Sequence, residues 1–320
     1  MNVTRFGLQI PLFTYPDVPD NQLFERVAAI ATTAEEAGFD SIWVMDHFYQ
    51  LPGLGKPDDP MFEAYTLLGA LAARTRTARL GTMVTGVTYR NPALLAKIVT
   101  TLDVISAGRA ILGIGAAWNE VEHRAYGFRF PPTGERMDRL EEALQICRAM
   151  FTEYSPSFSG KHYEIVEAFN VPRPVTPGGP PILVGGAGER RTLRLVAKYA
   201  DASNIFGDVA TVRHKLDVLE RHCQEVGRDP KEITKTKLAT LIIGATPEEA
   251  ERKIAEIRAR IGPGHDDYWR DAVLAGTPDQ VVEQVQAQFD AGLDGIIINL
   301  PDAQNLDVVR LAGETLRRLT

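Results

Sequence analysis

The chain has little cysteine, with only Cys147 and Cys223 among its 320 residues. Two cysteines cannot build a disulfide framework, and they are too few for a four-cysteine zinc site. Cys147 lies on the apolar face of an amphipathic segment, 134–151, together with Leu140 and Leu144. Its spacing therefore predicts a core side chain rather than a reactive thiol.

Long apolar runs and excess positive charge are also lacking. No run approaches the roughly 20 apolar residues that span a bilayer. The start of the chain passes almost at once into a strand-like segment without a signal-peptide core. The net charge of −7 and the pI near 5.5 argue against nucleic acid or an anionic membrane as a partner. We therefore expect a cytoplasmic protein that acts on small molecules.

Several catalytic motifs are missing as well. The chain has no P-loop, no HExxH, no GxSxG and no Cys/His ligand spacing, so no metal is expected. The stretch "GIGAAWNE" (113–120) imitates the G-x-G-x-x-G dinucleotide fingerprint, but Trp118 occupies the third glycine position. A single approximate match of this kind is weak.

The chain does contain a regular alternation of short apolar runs and helical periods, which predicts an α/β fold. Continuous apolar runs are typical of parallel strands covered by helices, and an eightfold alternation favours a (β/α)8 TIM barrel. We predict a single domain, 1–320, with insertions at about 154–181 and 262–293, the second carrying one additional helix. The expected strands are 5–10, 40–45, 78–84, 109–115, 180–186, 201–206, 235–244 and 295–300. The expected helices are 21–37, 62–75, 92–107, 134–151, 189–199, 209–226, 247–261 and 304–318.

Two ionisable residues, Asp46 and His47, follow the strand "SIWVM" with no turn residue between. Barrel active sites lie at the C-terminal ends of the strands, and an imidazole there suits general acid–base work. Asp46 could orient the ring or, since adjacent strand residues face opposite ways, point away from the pocket. The competing interpretation is a histidine bonded to backbone, with Asp46 capping a turn.

Small residues dominate two other strand ends. In "VGGAGERR", the backbone N–H groups of Gly186, Ala187 and Gly188 could form an anion nest, or simply a ligand-free turn. Ala116 and Ala117, after the fourth strand, would let a ligand approach the backbone. Asn119 could hydrogen-bond to that ligand or cap the following helix.

Four stretches together resemble one family: "SIWVMDHF", "LGTMVTGVTYRNPALLAK", "AGRAILGIGAAWNEVEHRAYGF" and "PPILVGGAGERRTLRLVAKYAD". In order and spacing they resemble the luciferase-like flavin and deazaflavin oxidoreductases, and the Asp-His-Phe resembles the branch that uses coenzyme F420. The resemblance covers nearly the whole chain.

The resemblance implies a role for each of several positions. His47 would exchange a proton with substrate beside the reacting deazaflavin carbon, and Asp46 would lie at the ring. The remaining positions implied to bind the cofactor are Met83, Val84 and Thr85 at a bulge with a non-prolyl cis peptide, Ala116, Ala117 and Asn119 at the ring and ribityl chain, and Gly185, Gly186, Ala187 and Gly188 near the phosphate.

The resulting prediction is an F420-dependent oxidoreductase that transfers a hydride between the deazaflavin C5 and a small organic substrate. The alternatives are an FMN-dependent monooxygenase using externally reduced flavin, and a flavin-binding barrel without catalysis. Glucose-6-phosphate is not the expected substrate, because "AAWNE" and "YWRDAVLAGTP" depart from the patterns of the dehydrogenases for that sugar. The resemblance also makes a homodimer possible.

Overall fold

The computed structural model describes residues 3–320. Within them, the strands are β1 (Phe6–Ile10), β2 (Ser41–Val44), β3 (Arg79–Thr82), β4 (Thr85–Gly86), β5 (Ala110–Gly115), β6 (Phe158–Ser159), β7 (Glu164–Ile165), β8 (Ile182–Gly185), β9 (Ala202–Ile205), β10 (Thr234–Ile243), β11 (Val273–Gly276) and β12 (Gly295–Asn299). The α-helices are α1 (Leu23–Ala37), α2 (Ala64–Ala72), α3 (Pro92–Ile105), α4 (Glu120–Tyr126), α5 (Thr133–Thr152), α6 (Thr192–Tyr199), α7 (Val209–Val226), α8 (Pro247–Ile261), α9 (Asp266–Ala272), α10 (Pro278–Asp290) and α11 (Leu306–Arg317).

Eight parallel strands close into a barrel. The order around it is β1, β2, β3, β5, β8, β9, β10 and β12, and β12 pairs back onto β1. β10 joins the two ends of the sheet because it pairs with β9 as well as with β12. The predicted (β/α)8 barrel is therefore confirmed.

The barrel encloses a small apolar core of its own, separate from the larger core between strands and helices. Trp43, Met83, Ile111, Leu183 and Ile297 belong to this inner cluster. Trp43 has no exposed surface, and its indole N–H donates to the Ser41 hydroxyl at 2.8 Å. These side chains fill the barrel below its C-terminal face, as layered barrel interiors require.

Cys147 is fully buried in the outer core, as its position on α5 predicted, and burial raises its pKa to about 12. The protonated thiol is inert under ordinary conditions. Among the described residues, no helix is long and apolar enough to cross a membrane.

The second insertion differs from the prediction. Between α8 and β12 we expected one additional helix, but the structure has α9, the strand β11 and then α10. β11 pairs in parallel with the last four residues of β10, beyond the part of β10 that pairs with β9. A four-residue strand, "VLAG", leaves too short a pattern to be separated from the helices on either side. The first insertion contains the hairpin β6–β7, and the assignment of 1–320 to one domain stays a prediction.

Candidate active site

A cavity of about 380 Å³ opens at the C-terminal ends of the barrel strands, on the face where barrel enzymes bind their ligands. Of the residues predicted for the site, all but Asn119 line it. They are Asp46, His47, Met83, Val84, Thr85, Ala116, Ala117, Gly185, Gly186, Ala187 and Gly188.

Asn119 has the other role that its sequence context allowed. It is the N-cap residue of α4, where its side-chain oxygen accepts from the backbone N–H of Glu122 at 3.4 Å. Its carbonyl oxygen accepts from His123 Nδ1 at 2.6 Å. The residue thus fixes the start of α4 from outside the cavity lining, and its role as a cofactor ligand stays a prediction.

His47 lies in the cavity wall just beyond the end of β2. Its side chain is 14% exposed, and its Nδ1 lies 2.8 Å from Glu122 Oε2. The indole of Trp118 meets the imidazole at a steep angle, with the ring centroids 5.7 Å apart. One nitrogen of the ring is therefore held by the protein, while the ring itself borders the cavity.

Glu122, on α4, is the carboxylate that sequence reasoning missed. Its fully buried side chain also accepts from the backbone N–H groups of Phe48 and Tyr49 and from the Tyr89 hydroxyl. Burial would raise the pKa of Glu122, but these hydrogen bonds, that of His47 above all, hold it below its usual range. The only sequence signal was the N-x-x-E spacing from Asn119, which is also a capping pattern.

Glu120, the acidic residue of "AAWNE", does not line the cavity. Its side chain is 52% exposed and pairs with Arg124 one helical turn later, at 2.8 Å. In the same segment, Ala116, Ala117 and Trp118 line the cavity. Side chains two positions apart on a helix point to different faces, so Glu122 turns inward while Glu120 faces solvent.

Asp46 is buried and does not orient the imidazole. The guanidinium of Arg90 donates two hydrogen bonds to the Asp46 carboxylate, of 2.7 and 3.0 Å, and the backbone N–H of Gly86 donates a third at 3.3 Å. Burial raises the pKa of the Asp46 carboxyl, and the Arg90 charge opposes that shift. Neither role left open for Asp46 is observed: the orienting contact on His47 belongs to Glu122, and Asp46 lines the cavity instead of pointing away from it.

The cavity floor is built around Val84. The Met83–Val84 peptide is cis, as the resemblance implies. A Cβ on Gly115 would lie 2.9 Å from Val84 Cγ2, and one on Gly185 would lie 2.8 Å from Cγ1. Glycine at both positions therefore gives Val84 room between β5 and β8. The Thr85 hydroxyl is directed to Tyr65 Oη, at 2.6 Å.

The glycine-rich turn after β8 lines the cavity with its main chain. Gly186 has a φ of +121°, a conformation that residues with a Cβ rarely adopt. Of the two arginines that end "VGGAGERR", Arg191 is bound to Asp138 at 2.6 Å, and neither Arg190 nor Arg191 lines the cavity. The turn therefore offers main-chain N–H groups before α6 rather than a basic cluster.

Asn204 lines the cavity and has a buried polar atom without a partner among the described residues. Its side-chain N–H donates to the Thr236 hydroxyl at 3.0 Å, whereas Oδ1 has no partner within residues 3–320. Buried carbonyl oxygens are nearly always hydrogen-bonded, so an unpaired one in a cavity fits a ligand that carries an N–H group. Nothing in the sequence marks this residue beyond its position at a strand end.

The cavity thus suits a flat organic ring with a polar edge and an anionic tail. Its lining combines small residues and main chain with the Asn204 amide and the His47 imidazole. In the part of the chain that the structure describes, no group of three or more His, Cys, Asp or Glu side chains is arranged to hold a metal.

Comparison with known proteins identifies relatives of this architecture. The family model of the luciferase-like monooxygenases matches residues 4–265. An F420-dependent glucose-6-phosphate dehydrogenase of Amycolatopsis mediterranei is 29% identical over 305 residues, which cover 85% of this chain and 87% of the relative.

Two solved structures share the fold at low sequence identity. The coenzyme F420-dependent tetrahydromethanopterin reductase of Methanopyrus kandleri superposes with a TM-score of 0.80 at 19% identity, over 99% of both chains. EDTA monooxygenase of Chelativorans sp. BNC1 reaches 0.85 at 17% identity, over 99% of this chain and 94% of that one. Since a reductase and a monooxygenase both share the barrel, the fold alone does not choose between their chemistries.

Proposed function

Because the chain belongs to the luciferase-like monooxygenase family, we propose that it is an F420-dependent oxidoreductase in which His47 is the proton donor or acceptor. The reaction would be a hydride transfer between the deazaflavin and a small organic substrate. Relatives named F420-dependent dehydrogenases bear out two of the predictions, the oxidoreductase class and the coenzyme. The substrate, the hydride transfer and the role of His47 are the parts proposed here.

The residues of the cavity fit this coenzyme. The N–H groups of Ala187 and Gly188 would hold the phosphate, because main-chain amides at such a turn bind anions. The N–H of Gly186 is used within the protein, since it donates to the Asn204 backbone carbonyl at 3.2 Å. Asn204 Oδ1 would accept an N–H from the polar edge of the ring, and Val84 would support the ring from below. When bound in its reduced form, F420 supplies a hydride from C5.

The observation that carries the proposal is the position of His47, in the cavity wall with Nδ1 held by a buried carboxylate. In the reducing direction, the imidazolium would give its proton to the substrate oxygen or nitrogen, or to carbon in an activated alkene. The N–H bond of the ring breaks as the new O–H, N–H or C–H bond forms, and its electron pair stays on the ring. Proton transfer of this kind contributes on the order of 10²–10⁴-fold to a rate.

The substrate is proposed to be a carbonyl compound, an imine or an activated alkene. Trp118 is exposed beside His47, and its indole would present an apolar surface to the substrate. Glucose-6-phosphate remains an unexpected substrate, since the basic Arg270 near the last strands is paired with Asp267 and Asp271.

A homodimer is also part of the proposal. Exposed apolar side chains, Leu94 and Ile105 on α3 and Phe169, Val171 and Val175 in the first insertion, support it. Hydrogen bonds tie that segment to α3, so the two sets lie side by side. Patches of this kind often mark interfaces between chains. A cytoplasmic location stays a prediction.

The first test is a parallel titration of the purified protein with F420 and with FMN, following the fluorescence of each. We expect tight F420 binding and weak FMN binding. Tight FMN binding without F420 would instead favour the monooxygenase.

The second test uses His47→Ala, with His265→Ala as the control. His265 is an exposed histidine at the N-cap of α9. A screen of carbonyls, imines and activated alkenes with reduced F420 supplies the substrate. His47→Ala should retain F420 binding and lose turnover by on the order of 10² or more. Unchanged turnover would remove His47 from the mechanism, and binding without turnover of any compound by the native protein would favour the non-catalytic barrel.

A further inference from the structure

The two oxygens of Glu122 have different partners. Oε1 accepts from the backbone N–H groups of Phe48 at 2.6 Å and Tyr49 at 3.1 Å. Oε2 lies 2.8 Å from His47 Nδ1 and accepts from the Tyr89 hydroxyl at 2.9 Å. One oxygen therefore anchors the loop after β2, and the other faces the imidazole.

The acceptor capacity of this carboxylate is fully used. An ionised carboxylate has about four lone-pair positions and no proton to donate. Four groups approach Glu122, and two of them are backbone N–H groups that can only donate. The hydrogen bonds that lower the pKa of Glu122 also favour its ionised form. The contact with His47 is then satisfied only when Nδ1 carries the hydrogen.

We propose that Glu122 is a positioning residue that keeps a proton on Nδ1 of His47, so that Nε2 is the atom that exchanges a proton in the cavity. The bond made by one ring nitrogen sets the protonation of the other. The inference rests on the proposed role of His47 and adds to it the reacting atom and the residue that selects that atom.

Tyr89 supports the arrangement from the other side of Oε2. Its ring lines the cavity, and burial together with the Glu122 charge raises the pKa of its hydroxyl, which therefore stays a donor. With this donor in place, Oε2 has one acceptor position left, and His47 occupies it. Removing the Tyr89 hydroxyl should leave the tautomer of His47 unchanged, because the bond from Nδ1 remains.

Glu122→Gln separates the positioning role from the anchoring role. The amide oxygen of the glutamine can keep the two backbone N–H groups on the side of Oε1. Its NH₂ group then faces Nδ1 and can only donate, which places the ring hydrogen on Nε2. Glu120→Gln is the matched control, since Glu120 is on the same helix with its side chain half exposed.

The test is ¹⁵N NMR of histidine-labelled protein at about pH 8.5, above the usual titration range of imidazole. Pyrrole-type and pyridine-type ring nitrogens are distinguished by their shifts, and His47→Gln assigns the His47 signals by their loss. We expect a protonated Nδ1 in the native protein, in Glu120→Gln and in Tyr89→Phe, and a protonated Nε2 in Glu122→Gln. A protonated Nε2 in the native protein, or no reversal in folded Glu122→Gln, would overturn the proposal. Should Glu122→Gln not fold, the native spectrum still decides which nitrogen of His47 carries the hydrogen, and a protonated Nε2 there overturns the proposal.

The spectra need no coenzyme, so they separate this inference from the proposed function. If the tautomers are as expected but F420 does not bind, the proposed function fails and the assignment of the nitrogen stands. With F420 and an active substrate, Glu122→Gln should lower kcat on the order of 10²-fold with little change in KM. A reversed tautomer with unchanged kcat would refute Glu122 as a positioning residue.

Discussion

Arg90 holds Asp46 by two parallel hydrogen bonds, of 2.7 and 3.0 Å, in a pair that is almost closed to solvent. The side chains are 11% and 1% exposed. The same guanidinium lies over the Tyr65 ring and reaches Glu63 at 2.5 Å. The segment after β2, in which His47 directly follows Asp46, is thereby fixed to the segment after β4.

Arg90→Leu should destabilise the protein by about 3–5 kcal/mol, because it leaves the buried Asp46 carboxylate without its cation. The double variant Asp46→Asn/Arg90→Leu should recover part of that loss, since it removes the unpaired charge as well. Chemical denaturation of Arg90→Leu, of Asp46→Asn and of the double variant measures the loss of stability and its recovery. A double variant no more stable than Arg90→Leu would show that the pair is not coupled.

The loss of stability caused by Arg90→Leu should also depend on pH. Burial raises the pKa of Asp46 in the folded state, and without Arg90 that rise is unopposed. A group whose pKa is higher when folded contributes stability at low pH and loses it as the pH rises. The deficit of Arg90→Leu relative to the native protein should therefore shrink as the pH is lowered from 7 towards 5. A deficit that is constant over this range would contradict the explanation.

Asn204→Ala should weaken F420 binding about 2- to 13-fold, the equivalent of one hydrogen bond of 0.5–1.5 kcal/mol. The reason is the unpaired Oδ1 in the cavity wall. Ser203→Ala is the control, because Ser203 is buried one position earlier on β9 and does not line the cavity. Fluorescence titration compares the two. Equal affinities would remove Asn204 from the binding site.

Gly185→Ala should destabilise the fold by about 1–3 kcal/mol and weaken cofactor binding, since the new methyl would press on Val84. Adding Val84→Ala should restore part of the stability, because it removes the atoms that clash. Gly134→Ala, where nothing lies within 4 Å of the added Cβ, is the control and should be neutral or slightly stabilising. If Gly185→Ala is as stable as Gly134→Ala and binds the cofactor as well, the position of Val84 does not require a glycine at 185.

The barrel was predictable because its signals are local. Strands such as "SIWV" and "AILGIG" are buried along their whole length, and the helix Val209–Val226 was placed at its observed bounds by its period and caps. The strand ends then indicated where His47 and the glycine turn would lie, because every barrel strand ends on the same face.

The partners of the site residues could not be predicted in the same way. His47 and Glu122 are 75 residues apart, and Asp46 and Arg90 are 44 apart. No local pattern states which of two nearby glutamates on α4 turns inward until the start of the helix is known. Asn204 carries no motif, and it is marked only by the missing partner of Oδ1.

Glu122→Gln should lower the free energy of unfolding by about 1–3 kcal/mol at pH 7, because charge-assisted hydrogen bonds are replaced by weaker ones. Since the folded pKa of Glu122 lies below its usual value of 4.5, its ionised form contributes stability above that pH. This contribution is lost as the pH falls through the folded pKa. The difference between the native protein and Glu122→Gln should thus be largest near neutrality and shrink below about pH 4.5. Urea denaturation from pH 3.5 to 8 measures it, with Glu120→Gln expected within about 0.5 kcal/mol of the native protein throughout. A difference that grows on acidification would mean that Glu122 is protonated in the folded state, and His47 could then hold its hydrogen on either nitrogen.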